Sequence, residues 1–155
     1  MIPDVIIREE GPGDRSAILR LLETSALPTA DLSEVPGLRD DAEPSFVLAV
    51  RDDTLAGCAA LERAGDAGLL RSVAVRKDER GAGIGERLVR ERIASAETRG
   101  MQAIYLLTET APAWFERFGF QTIDRSEAPD EVKASKEFSA LCGETATLMV
   151  RRADG

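Results

Sequence analysis

From Leu69 to Leu88 the chain passes through three regimes. Alternating apolar residues (Leu69, Val73, Val75) give way to glycines at 81, 83 and 85, and then to the helical spacing of Ile84 and Leu88. The pattern predicts a strand, a tight loop and the first turns of a long helix. Arg80, Gly83 and Gly85 stand in the order Arg-x-x-Gly-x-Gly. Glycine lets the backbone turn sharply and lets a ligand reach the amides with no Cβ in the way. A helix that begins there leaves about four N–H groups without intrahelical partners, at the positive end of its dipole. Such a place holds phosphate. Spacing excludes two other nucleotide loops. A dinucleotide fingerprint read from Gly81 and Gly83 needs a third glycine where Glu86 stands, and a Walker loop needs Lys-Ser/Thr where Glu86 and Arg87 follow Gly85. The bland alternative is a strand-to-helix turn whose glycines serve packing alone.

The flanking sequence supplies the rest of a fold. Val5–Glu9 reads as a first strand, and Asp14 as the cap of a helix carrying Ala17, Ile18, Leu21 and Leu22 at helical spacing. The turn-rich, acidic stretch from Ser25 to Gly37 is expected to hold a short helix between loops. Phe46–Val50 and Leu55–Leu61 flank Arg51–Thr54 as an antiparallel hairpin, and a turn over Ala64–Gly68 leads to the strand at Leu69. The helix from about Ala82 to Arg99 places Ile84, Leu88, Val89, Ile93 and Ala96 on one face and stops at Gly100. Ala103–Leu107 is a continuous apolar strand, so strand, helix and strand make a βαβ unit with parallel strands. Pro112 opens a short helix to about Arg117, and Phe118-Gly119-Phe120 turns into another strand. A helix is expected around Pro129 to Leu141, and Ala146–Val150 forms the last strand. The whole reads as one α/β domain over residues 1–155 with a mixed sheet.

Charge narrows the partners. Acidic and basic side chains number 28 and 20, a net charge of −8, with no histidine. Nucleic acid and anionic membrane both need basic surface, so neither is expected. A polyanionic ligand must be held by local devices, which the amides at the helix start and Arg76, Lys77, Arg80 and Arg87 supply. The absence of histidine removes Ser-His-Asp and Cys-His catalysis and His-ligated zinc. Cys58 and Cys142 form neither a CxxC pair nor a metal set and read as structural free thiols, so no metal is expected. No apolar stretch reaches bilayer length, and Met1–Arg8 lacks the order of parts of a signal peptide, so a cytoplasmic location is expected.

A second segment, Ala111-Pro-Ala-Trp-Phe-Glu-Arg-Phe-Gly-Phe120, joins the glycine loop in a resemblance to the GNAT superfamily of acetyl-coenzyme A-dependent N-acetyltransferases, over about Ile6 to Val150. The resemblance implies an α/β GNAT fold: a mixed central sheet of about six to seven strands with a splayed parallel pair and flanking helices. It implies acetyl-CoA as cosubstrate. The pantetheine would lie along the backbone of Val73, Ala74 and Val75, and the diphosphate on Arg80, Gly81, Ala82, Gly83, Ile84 and Gly85. Trp114 and Phe115 would pack the cofactor tail or the core. Leu106–Phe120 with Pro129, Phe138 and Leu148-Met149 is similar to two groups within the superfamily. One is the acetyltransferase domain of N-acetylglutamate synthase. The other is the small acetyltransferases found with arsenic-resistance genes, favoured by Glu137-Phe138, Leu141-Cys142, Ala146–Met149 and the Leu27–Leu32 loop, which puts Leu27 on the substrate side.

Direct acetyl transfer needs a neutral amine, an oxyanion donor and a base for the ammonium proton. The resemblance implies a backbone N–H near Val73 as the donor. The superfamily's usual acid, a tyrosine four residues before the glycine of Gly-Phe, is replaced by Phe115; Tyr105, the one tyrosine, lies within a strand, where packing is the simpler role. The synthase's glutamate base falls on Leu69, its C-terminal serine on Thr145, which keeps a hydroxyl, and its carboxylate-binding arginine on Gly143. These departures weaken glutamate as acceptor and leave cofactor binding untouched. Glu62 and Glu109 are candidate proton carriers, each also readable as a solvated surface acid. Arg71 interrupts an apolar strand beside the expected acetyl site, where it either grips a substrate carboxylate or pairs with Glu62. Ser72 is expected to face the core on the opposite side. The reading is an enzyme moving acetyl to a primary amine of a small molecule, amino acids among the candidates, with pairing of two chains expected by analogy. A protein or peptide N-acetyltransferase and a non-catalytic acyl-CoA sensor are the alternatives, the sensor motivated by the missing tyrosine and glutamate.

Overall fold

The computed structural model describes residues 5–27, 29, 32, 44–135, 138 and 145–153. Strands are β1 Val5–Glu9, β2 Ser45–Arg51, β3 Thr54–Ala64, β4 Ala67–Val75, β5 Ala103–Thr108, β6 Gln121–Thr122 and β7 Thr147–Arg152. Helices are α1 Arg15–Thr24, α2 Ile84–Thr98, α3 Pro112–Glu116 and α4 Asp130–Lys133. The seven strands form one sheet in the order β1-β2-β3-β4-β5-β7-β6. β4 and β5 are parallel and the other pairs antiparallel, which is the mixed sheet the sequence predicts.

Two faces of this sheet are covered. Leu61, Leu70, Ile104, Leu106 and Met149 pack against Val89, Ile93 and Ala96 of α2 and against Phe115, Phe118 and Phe120. On the other face Ile18, Leu21 and Leu22 of α1 meet Phe46, Leu48, Cys58 and Ala74, while Val132 of α4 joins Leu69, Tyr105, Leu148 and Val150. The predicted apolar face of α2 is buried, and the helix closes at Gly100 through Met101 N–H donating to Ala96 O at 3.0 Å.

Several local expectations change. Asp14 sits at the N-cap position of α1, but its backbone is helical and its side chain makes no cap bond. The carboxylate instead accepts from Gly11 N–H at 2.7 Å and from Arg8 Nη1 at 2.8 Å, so it pins the β1–α1 connection. The predicted strand after Phe120 is only the two residues of β6, and β7 inserts between it and β5. The helix expected to Leu141 has four described residues, and its remainder, the short helix expected within Ser25–Gly37, and Cys142 lie largely or wholly outside the described residues. Arg92, on the buried face of α2, is 1% exposed. Its guanidinium binds Glu9, Glu91 and the Ser45 carbonyl and so ties α2 to the end of β1 and the start of β2.

Candidate active site

β4 and β5 pair at two positions only, Gly68 with Ile104 and Leu69 with Tyr105. Beyond them the strands part, and the β4 edge from Leu70 to Val75 faces Leu106–Ala111 across a cavity of about 910 Å³. That is the size of pocket that takes a ligand of several hundred daltons. The opening is the splayed pair that the resemblance implied.

β4 is irregular where it borders the cavity. Arg71 lies opposite Ala60 and Ala74 opposite Cys58, so β4 carries one residue more than β3 between them. Ser72 takes φ +55°, and the extra residue re-aims the strand. Ser72, expected to face the core, is 8% exposed, and at this bulge it borders the cavity beside Arg71 and Val73. Cys58 braces this bulge. Its thiol donates to Ser72 O at 3.4 Å and the Ala74 amide faces the sulfur. Burial pushes the thiol up to about 12, so it stays a protonated donor at neutral pH.

The glycine loop follows a 3-10 turn over Lys77–Glu79. Gly81 and Gly83 take φ +87° and +83°, and the space a Cβ would fill at each is open. Arg87 N–H to Gly83 O, 3.2 Å, is the bond that starts the α2 ladder, so the amides of Ile84, Gly85 and Glu86 precede it. A Cβ on Gly85 would stand 3.4 Å from Trp114, whose ring closes the loop on the α3 side. Arg80 donates from Nε to Val75 O at 3.1 Å and borders the same cavity. An open cradle, unladdered amides and a neighbouring guanidinium fit a diphosphate. Of the cofactor residues expected from sequence, Val73, Ala74, Val75, Arg80, Gly81, Gly83, Ile84, Gly85, Trp114 and Phe115 line the cavity, and Ala82 does not. Glu86 lines it too, accepting from Arg90 and Arg117 at 3.4 Å each.

The acceptor-side candidates fall into two pairs. Arg71, with its side chain fully buried, donates from Nη1 to Glu62 Oε1 at 3.0 Å and from Nε to Ser72 Oγ at 3.2 Å. Arg71 lines the cavity and Glu62 does not, so Glu62 reaches the site only through Arg71. Glu109 lines the cavity mouth and accepts from Thr145 Oγ1 at 2.9 Å. The two stand thirty-six positions apart in the sequence, and the antiparallel β5–β7 pairing brings them together. Leu27 lines the cavity from the end of α1. Tyr105 is packed among Leu69, Leu148 and Val150, away from it. Gly143 lies outside the described residues. Ser25 and Ala26 also border the cavity, and no local pattern could have placed them there. Arg117 borders it as well, and its position inside the Ala111–Phe120 signature was the available signal. Among the described residues no group of acidic or thiol side chains is arranged to hold a metal ion.

Comparison with known proteins agrees with this geometry. The acetyltransferase (GNAT) domain family matches residues 42–122. An amino-acid acetyltransferase of Edwardsiella ictaluri is 33% identical over 94 residues, covering 57% of this chain and 21% of the relative. One from Neisseria meningitidis serogroup A is 31% identical over 109 residues, covering 69% of this chain and 24% of the relative. The chain thus spans about a fifth to a quarter of the length of these curated relatives. N-acetylglutamate synthase from Neisseria gonorrhoeae, solved with coenzyme A and N-acetyl-glutamate, superposes with a TM-score of 0.79 at 28% identity, over 97% of this chain and 35% of that one. A GNAT-family acetyltransferase from Staphylococcus aureus shares the fold at 18% identity, with a TM-score of 0.72 over 96% of this chain and 98% of that one. A family match over more than half the chain, on a sheet that opens beside its glycine loop, makes this chain a member of the GNAT acetyltransferase family, related to the acetyltransferase domain of N-acetylglutamate synthase.

Proposed function

We propose that this chain transfers acetyl from acetyl-CoA directly to the primary amine of a small, carboxylate-bearing molecule. Acetyl-CoA brings an activated thioester, and the chain's own residues do the rest. The amides at the head of α2 and Arg80 hold the diphosphate. The β4 edge around Val73 offers backbone N–H groups to the carbonyl oxygen as it gains charge. Glu109, its second oxygen steadied by Thr145, accepts the ammonium proton at the cavity mouth.

The observation that carries the acceptor class is Arg71. A fully buried guanidinium, held by Glu62, borders the cavity where an acceptor would lie. The proposed clamp has a substrate carboxylate share this cation with the groups that already hold it. Glu62 then acts as a positioning residue. The relatives named amino-acid acetyltransferases support the same class. The kinship with small acetyltransferases found with arsenic-resistance genes stays part of this proposal, supported by the Leu27 loop and the segment around Phe138.

The test follows thiol release from acetyl-CoA with a panel of amino acids, amines and peptides. Turnover restricted to carboxylated amines supports the reading, and Glu109→Gln lowers kcat about a hundredfold. Unchanged kinetics in Arg71→Ala on a carboxylated acceptor removes the clamp. Tight acetyl-CoA binding with no turnover on any amine turns the assignment to the sensor, which Phe115 and Leu69, in place of the usual tyrosine and glutamate, would explain.

A further inference from the structure

Cys58 is fully buried in β3, among Leu48, Ala60, Ala74 and the apolar residues of α1. Packing alone needs no polar contact, yet the thiol makes two. It donates to Ser72 O at 3.4 Å, and the Ala74 amide faces the sulfur. Both contacts fall on the β4 bulge. Ser72 and Val73 have no counterpart in the β3 register, and the pairs with β5 have already ended at Leu69. The bulge takes the Ser72 carbonyl out of the ladder, and the thiol stands in for the missing partner. Ser72 also holds φ +55°, a conformation in which a serine persists only when its surroundings fix it.

We propose that Cys58 is a positioning residue for acyl transfer: it holds the Ser72 carbonyl and so aims the Val73 N–H at the thioester carbonyl. The link is the peptide plane. Ser72 C=O and Val73 N–H belong to one rigid unit, and in its trans form they point in opposite directions and cannot turn independently. The bond from Cys58 draws the oxygen towards β3. It thereby directs the N–H away from β3, to the side on which β4 borders the cavity. Alanine at position 58 would keep the apolar packing and release the plane. The inference rests on the proposed function, with acetyl-CoA as cosubstrate and the β4 edge as oxyanion donor.

Two variants of the full chain test this. Cys58→Ala removes both polar contacts, and Cys58→Ser restores a donor and an acceptor in the same place. Turnover is followed as thiol release from acetyl-CoA with the fastest acceptor of the panel above. Cys58→Ala is expected to lower kcat about tenfold with KM for acetyl-CoA unchanged, a part of the roughly hundredfold or more lost with a whole oxyanion donor. Cys58→Ser recovers most of kcat although it melts below Cys58→Ala, because a hydroxyl is costlier to bury than a methyl. Turnover and stability then rank the two variants in opposite orders, which a purely structural role does not produce. Infrared spectra of bound acetyl-CoA, isotopically labelled at its acetyl carbonyl, give a second reading: the stretch lies lower in the wild type and Cys58→Ser than in Cys58→Ala. An unchanged kcat and stretch in Cys58→Ala, or a kcat that follows melting temperature, overturns the role of Cys58 alone. A wild type that binds no acetyl-CoA, or binds it and acetylates nothing, overturns the proposed transfer and this inference together.

Discussion

Gly83 shows what a single residue decides. Its φ of +83° places it in the left-handed region, and no atom lies within reach of an added Cβ. Alanine there meets no clash, but it strains the backbone by about 1–2 kcal/mol and projects a methyl where the ligand's phosphates approach. Gly83→Ala is therefore expected to weaken coenzyme A binding at least tenfold with a small loss of stability. Calorimetry beside thermal melting separates the two effects, and undiminished affinity counts against the cradle. Asp14 is the residue whose charge matters to folding. The Arg8 hydrogen bond, helped by the Gly11 amide, holds its carboxyl below the ordinary value of 3.8. A depressed carboxyl contributes stability above that value and loses it as pH falls through the lower folded one. Asp14→Asn should cost about 0.5–1 kcal/mol at neutral pH, kept small because Arg8 is solvated. The gap should close as pH falls through the depressed folded value; denaturant titrations in which it stays constant at acid pH count against this.

At the scale of elements, the loop works because α2 starts close against the sheet. Gly57 of β3 makes that approach possible. A Cβ there would stand 3.0 Å from both Ala74 O and Leu88 Cδ1, and 3.3 Å from Ile84 Cγ2. Gly57→Val should push the first turn of α2 off β3, costing about 1–3 kcal/mol by overpacking and weakening coenzyme A as well. A variant that melts lower yet binds normally would show the loop is held some other way. The β2–β3 hairpin was readable from its two strands. The β4 bulge was not, because it answers to Cys58 and to the cross-strand register rather than to any local residue pattern.

Across the whole molecule, Arg92 joins elements that the chain separates by more than eighty positions. Its ion pairs run to Glu9 and Glu91, and partial burial holds the Glu9 carboxyl above its ordinary range against the pull of Arg92. The buried partner is Arg92, so removing one acid leaves the guanidinium the other acid and Ser45, whereas removing both leaves a buried charge uncompensated. The double variant Glu9→Gln/Glu91→Gln is expected to cost about 3 kcal/mol and either single variant much less. Equal losses in chemical denaturation would refute the asymmetry.

The order of strands and helices, the amphipathic face of α2 and the phosphate-ready loop follow from the sequence by itself. Each rests on a periodicity or a glycine spacing, and those act over neighbouring residues. Tertiary structure alone decided that β4 and β5 part after two pairs, that β4 bulges at Ser72, that Glu62 holds Arg71 while Thr145 holds Glu109, and that Leu27 reaches the cavity from beyond α1. Those relations join residues distant in the chain, and no local pattern encodes the register, bulges and packing that bring them within hydrogen-bonding distance.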